Sequence, residues 1–305
     1  MPNENGTARF PLDAETLQRL DNLTLITRKA MATGRPGRRR SPLAGSSMEF
    51  ADYRRYAPGD DFRRIDWRAY ARLERLFLRV FEAEENLTVT VLIDCSDSMH
   101  HGTPAKFALA TTLAAALSYV ALRCEDNVIV GALTDRLAAH RRTGSGKHAI
   151  WTVGEFLSRL PQVPHAGTHN ITDLNRALYD LGRVVTGPGL TIVISDFLAP
   201  GGYQTGLRAV RQLRQEVALL HILAPDEIEP DLQGDWRLRD SESVNTIDVS
   251  STPGVLQAYQ QRLFAFMQEL ASFAHTHAMT YAMIPSDTML IDVVQRLLRQ
   301  VEIVK

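Results

Sequence analysis

The chain has 305 residues, enough for one large α/β domain with an added segment or for two modest domains. Its hydrophobic content of 45% and charged content of 23% are those of an ordinary globular protein, and a formal net charge of −1 excludes a global field that would drive it onto nucleic acid or anionic lipid. Two cysteines, Cys95 and Cys124, both in predicted core elements, exclude a disulfide framework and fit a reducing cytoplasm. The opening "MPNENGTARF" has no basic stretch followed by an apolar one, so no signal peptide is expected. The most apolar run, "FALATTLAAALSYVAL" at 107–122, is short of the roughly 20 residues a membrane span needs and reads as a buried helix. A soluble cytoplasmic protein is the expectation.

In chain order, residues 13–33 read as a helix on Leu17, Leu20, Leu23 and Leu25. A Gly-, Pro-, Ser- and Arg-rich loop follows at 33–47. Arg28, Lys29, Arg35, Arg38, Arg39 and Arg40 make it basic, either as a solvated loop or as a patch for phosphate or an acidic partner. The segment 51–85 interleaves arginines and acids with Tyr53, Tyr56, Phe62, Trp67 and Tyr70. It reads as a structural element that buries its aromatics while Arg–carboxylate pairs knit it to a neighbour.

From residue 87 a strand–helix rhythm begins. Strands are expected at "LTVTVLID", 127–135, 137–140, 190–196, 216–223 and 278–284. Helices are expected at 104–124, 147–160, 171–183, 203–215, 253–276 and 288–301, and a hairpin at 236–249. Continuous apolar strands alternating with helices predict a doubly wound, mostly parallel sheet buried on both faces. The predicted organisation is an N-terminal accessory segment over 1–86 and an α/β domain over 87–305.

Two of these strands end in an acid: "VLID" at Asp94 and "VISD" at Asp196. In the strand order 3-2-1-4-5-6 the first and fourth strands flank the switch point, where ligands bind outside the C-terminal strand ends. Both carboxylates would overlook that crevice. "DCSDS" adds the hydroxyls of Ser96 and Ser98, and the loop "GTHNITDL" at 167–174 adds Thr168 or Thr172. Two carboxylates and two or three neutral hydroxyls suit a small hard cation such as Mg²⁺, which wants about six oxygens and keeps some waters.

Asp94, Ser96, Ser98, the threonine loop and Asp196 resemble the metal-ion-dependent adhesion site of von Willebrand factor type A domains. The resemblance implies direct coordination by Ser96, Ser98 and a threonine, Thr168 first and Thr172 second, with Asp94 and Asp196 acting mainly through water. Mg²⁺, Mn²⁺ or Ca²⁺ would be the ion. Upstream, Arg55, Tyr56, Gly59, Asp60, Arg64, Ile65, Asp66, Trp67, Ala71 and Arg72 resemble the signature of the bacterial domain-of-unknown-function family 58. That family implies a partner among MoxR-type AAA+ ATPases. It also carries, in many members, N-terminal membrane helices that this sequence does not show.

Other chemistries are weaker. A haloacid-dehalogenase-type phosphatase needs a second acid where Ser96 stands. In "RRTGSGKHA" the leading glycine of a phosphate loop is Arg141, and His148 replaces the hydroxyl that would hold Mg²⁺. Asp94, Ser96 and Ser98 could instead only cap the helix after them. Cys95 is expected in the core, His100 and His101 at the surface, and His275 and His277 at a helix C-terminus that favours them. The expected function is a non-enzymatic, metal-dependent adaptor that binds the acidic side chain of a partner. A metal-dependent phosphohydrolase in the same crevice is the alternative, and a nucleic-acid binder using the basic loop is a third class.

Overall fold

The computed structural model describes residues 10–25, 40–41, 48–57, 60, 62, 65–84, 87–160, 172–230, 234–239 and 246–304. The basic residues at 28, 29, 35, 38 and 39 lie outside them, as does Thr168. Two compact units form: residues 1–27 with 87–305, and residues 28–86.

The large unit is built on a six-stranded sheet. Its strands are β1 (Thr88–Asp94), β2 (Asn127–Leu133), β3 (Leu137–Arg142), β4 (Gly189–Ser195), β5 (Gln215–Leu223) and β6 (Thr280–Pro285). Their spatial order is β3-β2-β1-β4-β5-β6. Every pairing is parallel except β2 with β3, which the short connection at 134–136 makes antiparallel. The chain runs outward from β1 to β3 and then returns to β4, so the switch point lies between β1 and β4 as the alternation predicts.

Side-chain alternation decides what each face buries. Val89, Val91 and Ile93 of β1 pack with the helix Lys106–Arg123 in one core. Leu92 points the other way, into a core with the helices Leu174–Asp180, Gln204–Gln212 and the C-terminal half of Pro253–Thr276. Both faces are apolar because both are covered. Phe10, Leu20, Leu23 and Leu25 join the first core, and the Tyr119 hydroxyl donates to Asp21 Oδ1 at 2.7 Å. The expected hairpin is present as Gly234–Arg239 with Thr246–Ser251. The N-terminal helix is shorter than expected: it spans Ala14–Leu20, with Asp13 accepting from the Thr16 amide.

The small unit holds strands that the charge-rich sequence does not announce. Arg40–Ser41, Phe77–Glu84 and Met48–Arg55 form an antiparallel sheet in that spatial order, with a bulge between Phe50 and Asp52. Charged residues fall on both alternating positions of its two long strands, so no period-2 signal survives. A helix, Trp67–Leu73, starts where Asp66 Oδ1 accepts from the amides of Arg68 (2.9 Å) and Ala69 (3.2 Å). The expectation that the aromatics here are buried is corrected. Phe62 is 65% exposed, and Trp67 and Tyr70 are 61% and 44% exposed on a helix that buries none of its residues. Trp67 and Tyr70, three apart, instead meet edge to face at 6.3 Å.

Candidate functional site

The β1–β4 register builds the site. Ile93 pairs with Ile194, so Asp94 and Ser195, one step on, project side by side from the same face. The Ser195 hydroxyl donates to Asp94 Oδ2 at 2.5 Å, and the Ser96 amide donates to Oδ1 at 2.9 Å. Ser195 Oγ also accepts from the Phe197 amide at 2.8 Å, where the backbone turns at φ 56°. Asp94 is therefore oriented at both oxygens by neutral donors. Burial first, and the nearby Asp196 charge second, push its pKa up to about 6, while the hydrogen bonds from Ser195 and Ser96 pull the other way.

Ser96 and Ser98 stand beyond the strand end, their hydroxyls sharing a hydrogen bond at 3.0 Å. Neither serves as the cap the simpler reading requires. Ser96 precedes the short 3-10 turn Asp97–His100 without a side-chain capping bond, and the helix Lys106–Arg123 has Ala105, not a serine, as its N-cap. The spacing fits a hard ion: two oxygens at about 2.1 Å on adjacent vertices of an octahedron stand about 3.0 Å apart. Among the described residues no group of three or more His, Cys, Asp and Glu side chains could hold a metal ion. The side chains gathered there are hydroxyls and a carboxylate.

Asp196 is held differently. Its Oδ1 accepts from the Leu198 amide at 3.1 Å, and its Oδ2 accepts from Lys106 Nζ at 2.7 Å. Lys106 is 0% exposed, and its ammonium also donates to Glu227 Oε1 at 2.6 Å. Glu227 in turn accepts from the Ala224 amide through Oε2, at 2.7 Å, in the helical turn Pro225–Ile228 after β5. Neither Lys106 nor Glu227 is among the sequence-derived site residues. A signal was present: Lys106 is the first residue of its helix, where the dipole disfavours a cation, so its place there needs another reason.

The loop between the 3-10 turn and this helix is pinned to the same edge. His101 Nε2 lies 2.9 Å from Asp226 Oδ2, and the Ser286 hydroxyl donates to the Pro104 carbonyl at 2.8 Å. Gly102 has φ 93°, and a Cβ there would stand 2.5 Å from that of Ala224, so only glycine fits. Thr172 is buried just before Asp173, whose amide donates to the Thr134 carbonyl at the end of β2 and whose carboxylate caps the next helix.

Cys95 is buried, its thiol donates to the Ile93 carbonyl, and burial pushes its pKa up, away from the thiolate form. Cys124 is only half-buried, at a helix end, which corrects its placement in the core. His100 is exposed and its ring stacks on Phe107 at 4.8 Å. His277 receives a hydrogen bond from Arg208 Nε at 3.2 Å and lies 2.9 Å from the Phe273 carbonyl, a more specific role than dipole placement.

A mostly parallel doubly wound sheet thus carries an oriented acid and two hydroxyls at its switch point. The model of the family DUF58, protein of unknown function, matches residues 52–265. The chain belongs to that family. A Mycobacterium tuberculosis protein described as uncharacterized is 32% identical over 234 residues, covering 75% of this chain and 72% of the relative. Among solved structures, BatB from Bacteroides thetaiotaomicron matches with TM-score 0.44 and 15% identity over 71% of this chain and 98% of its own. The SpRpn10 VWA domain matches with TM-score 0.36 and 10% identity over 68% and 92%.

Proposed function

We propose that the large unit is a non-enzymatic protein-binding module that grips a carboxylate of its partner through a divalent cation. Mg²⁺ is the first choice and Mn²⁺ or Ca²⁺ the alternatives. Ser96, Ser98 and a threonine (Thr168, with Thr172 second) would hold the ion directly, with Asp94 and Asp196 acting through water. When bound, the ion supplies an open electrophilic position that an acidic side chain completes. The chain's own part is to orient. Ser195 and the Ser96 amide fix Asp94, and the turn at 97–100 keeps the two serine hydroxyls together. The observation that carries this reading is the Ser96–Ser98 hydroxyl pair, 3.0 Å apart and not used for capping, beside an oriented buried carboxylate.

The partner we propose is a MoxR-type AAA+ ATPase, with the chain acting as its adaptor in assembling or remodelling other proteins in the cytoplasm. Among the described residues no helix is long and apolar enough to cross a membrane. A phosphohydrolase would need an acid–base partner two residues after Asp94, where Ser96 stands. The test is capture of the purified ATPase by the full chain with Mg²⁺ or with chelator. Capture is expected to need the ion and to be lost in Ser98→Ala, which removes a ligand without stranding a buried charge, with unchanged circular dichroism. Undiminished capture in chelator overturns the reading.

A further inference from the structure

The role of Lys106 and Glu227 depends on this site being a divalent-cation grip for a partner's carboxylate, and it deepens that reading. Two carboxylates would roughly balance a divalent ion, but Asp196 already has a cation. The Lys106 ammonium sits 2.7 Å from its Oδ2, wholly buried, with Glu227 as a second anchor at 2.6 Å. Glu227 is itself held by the Ala224 amide, and the Tyr259 hydroxyl donates to its carbonyl at 2.7 Å. The ammonium is thus held by two carboxylates and is wholly buried.

We propose that Lys106 is a built-in competitor of the divalent ion: its ammonium holds Asp196 and keeps the site's own affinity for metal low. A partner's carboxylate then supplies the negative charge that Lys106 neutralises on Asp196. The site would bind ion and partner together far better than ion alone, which makes the partner a condition of metal retention. If the buried pair were merely a staple between the helix at 106–123 and the turn at 225–228, removing it without changing net charge would leave metal affinity unaltered.

The experiment is calorimetric titration of Mn²⁺ and Mg²⁺ into the full chain and two variants, with circular dichroism as the folding control. Lys106→Met/Glu227→Gln removes one charge of each sign and releases Asp196. It should bind metal several-fold tighter, because the ammonium bonded to Asp196 is gone while the lost Glu227 carboxylate reached Asp196 only through it. Glu227→Gln keeps the ammonium on Asp196 and removes only its counter-charge, so metal should bind several-fold more weakly. Equal affinities across the three proteins, or shifts of the same sign, overturn the proposal while leaving the metal site standing. Absence of binding in all three overturns the metal site and the proposal with it. Should the double variant misfold, Glu227→Gln alone decides: equal or tighter binding refutes competition.

Discussion

Asp94 and Asp196 close neighbouring parallel strands and are each 1% exposed, yet neutral donors hold the first and a buried cation holds the second. The donors of Asp94 align its oxygens without cancelling its charge, so burial still pushes its pKa to about 6. The partner of Asp196 cancels charge directly, and a second acid, Glu227, is needed to complete the arrangement. Equal burial thus yields two kinds of carboxylate, one met only by neutral donors and one satisfied by an inside cation. Symmetry of sequence, an acid at the end of each strand, does not entail symmetry of electrostatics.

The comparison breaks most severely if Lys106 alone is removed. Lys106→Met leaves Asp196 buried, and Glu227 half-buried, without their counter-charge, and should cost about 3 kcal/mol in denaturant unfolding. A loss below about 1 kcal/mol would mean that the pair is weaker than its geometry implies.

Behind Asp196 lies His221, fully buried, with Nδ1 2.9 Å from the Tyr281 hydroxyl and its ring edge-on to Phe197 and Phe266. Burial lowers its pKa from 6.5 to about 4, against a smaller upward pull from Asp196. A depressed pKa means that the unfolded chain takes the proton first. The stability His221 confers is therefore complete above pH 6.5 and lost as pH falls through 4. Relative to His221→Phe, the wild type should lose up to about 3 kcal/mol across that window. Parallel stability curves would show that His221 does not titrate with folding.

At the Asp94 end, Ser195→Ala removes a hydroxyl that both donates to Asp94 and accepts from the Phe197 amide. The expected loss is about 2 kcal/mol, with metal affinity reduced because Asp94 is no longer aligned. Unchanged unfolding would show that the strand register alone orients the acid. The smallest effect concerns the threonine. Thr168→Val should weaken Mn²⁺ binding by about tenfold at nearly constant volume, and Thr172→Val by less. The reverse ranking would move the ligand by four residues.

Much of the large unit was legible in the sequence. Continuous apolar strands between helical repeats can only be buried on both faces, and this forces parallel pairing and helical crossovers. With that topology, an acid at the end of each strand flanking the switch point must face the same crevice. The acids at 94 and 196, each at or just beyond a strand end, followed from period and spacing, both of which are local properties. In the small unit the same logic failed, because charges on both strand positions erase the period and the aromatics around Trp67 stay in water.

What tertiary structure alone decided is the partnership at each acid. Ser195 reaches Asp94 across 101 positions and Lys106 reaches Asp196 across 90, with Glu227 arriving from another 31 beyond Asp196. Sequence by itself determined that an acid stands at each strand end. It could not determine whether a hydroxyl or an ammonium meets that acid, because an electrostatic partner is chosen by distance through space, and distance through space is set only when the sheet register and the helix packing are complete.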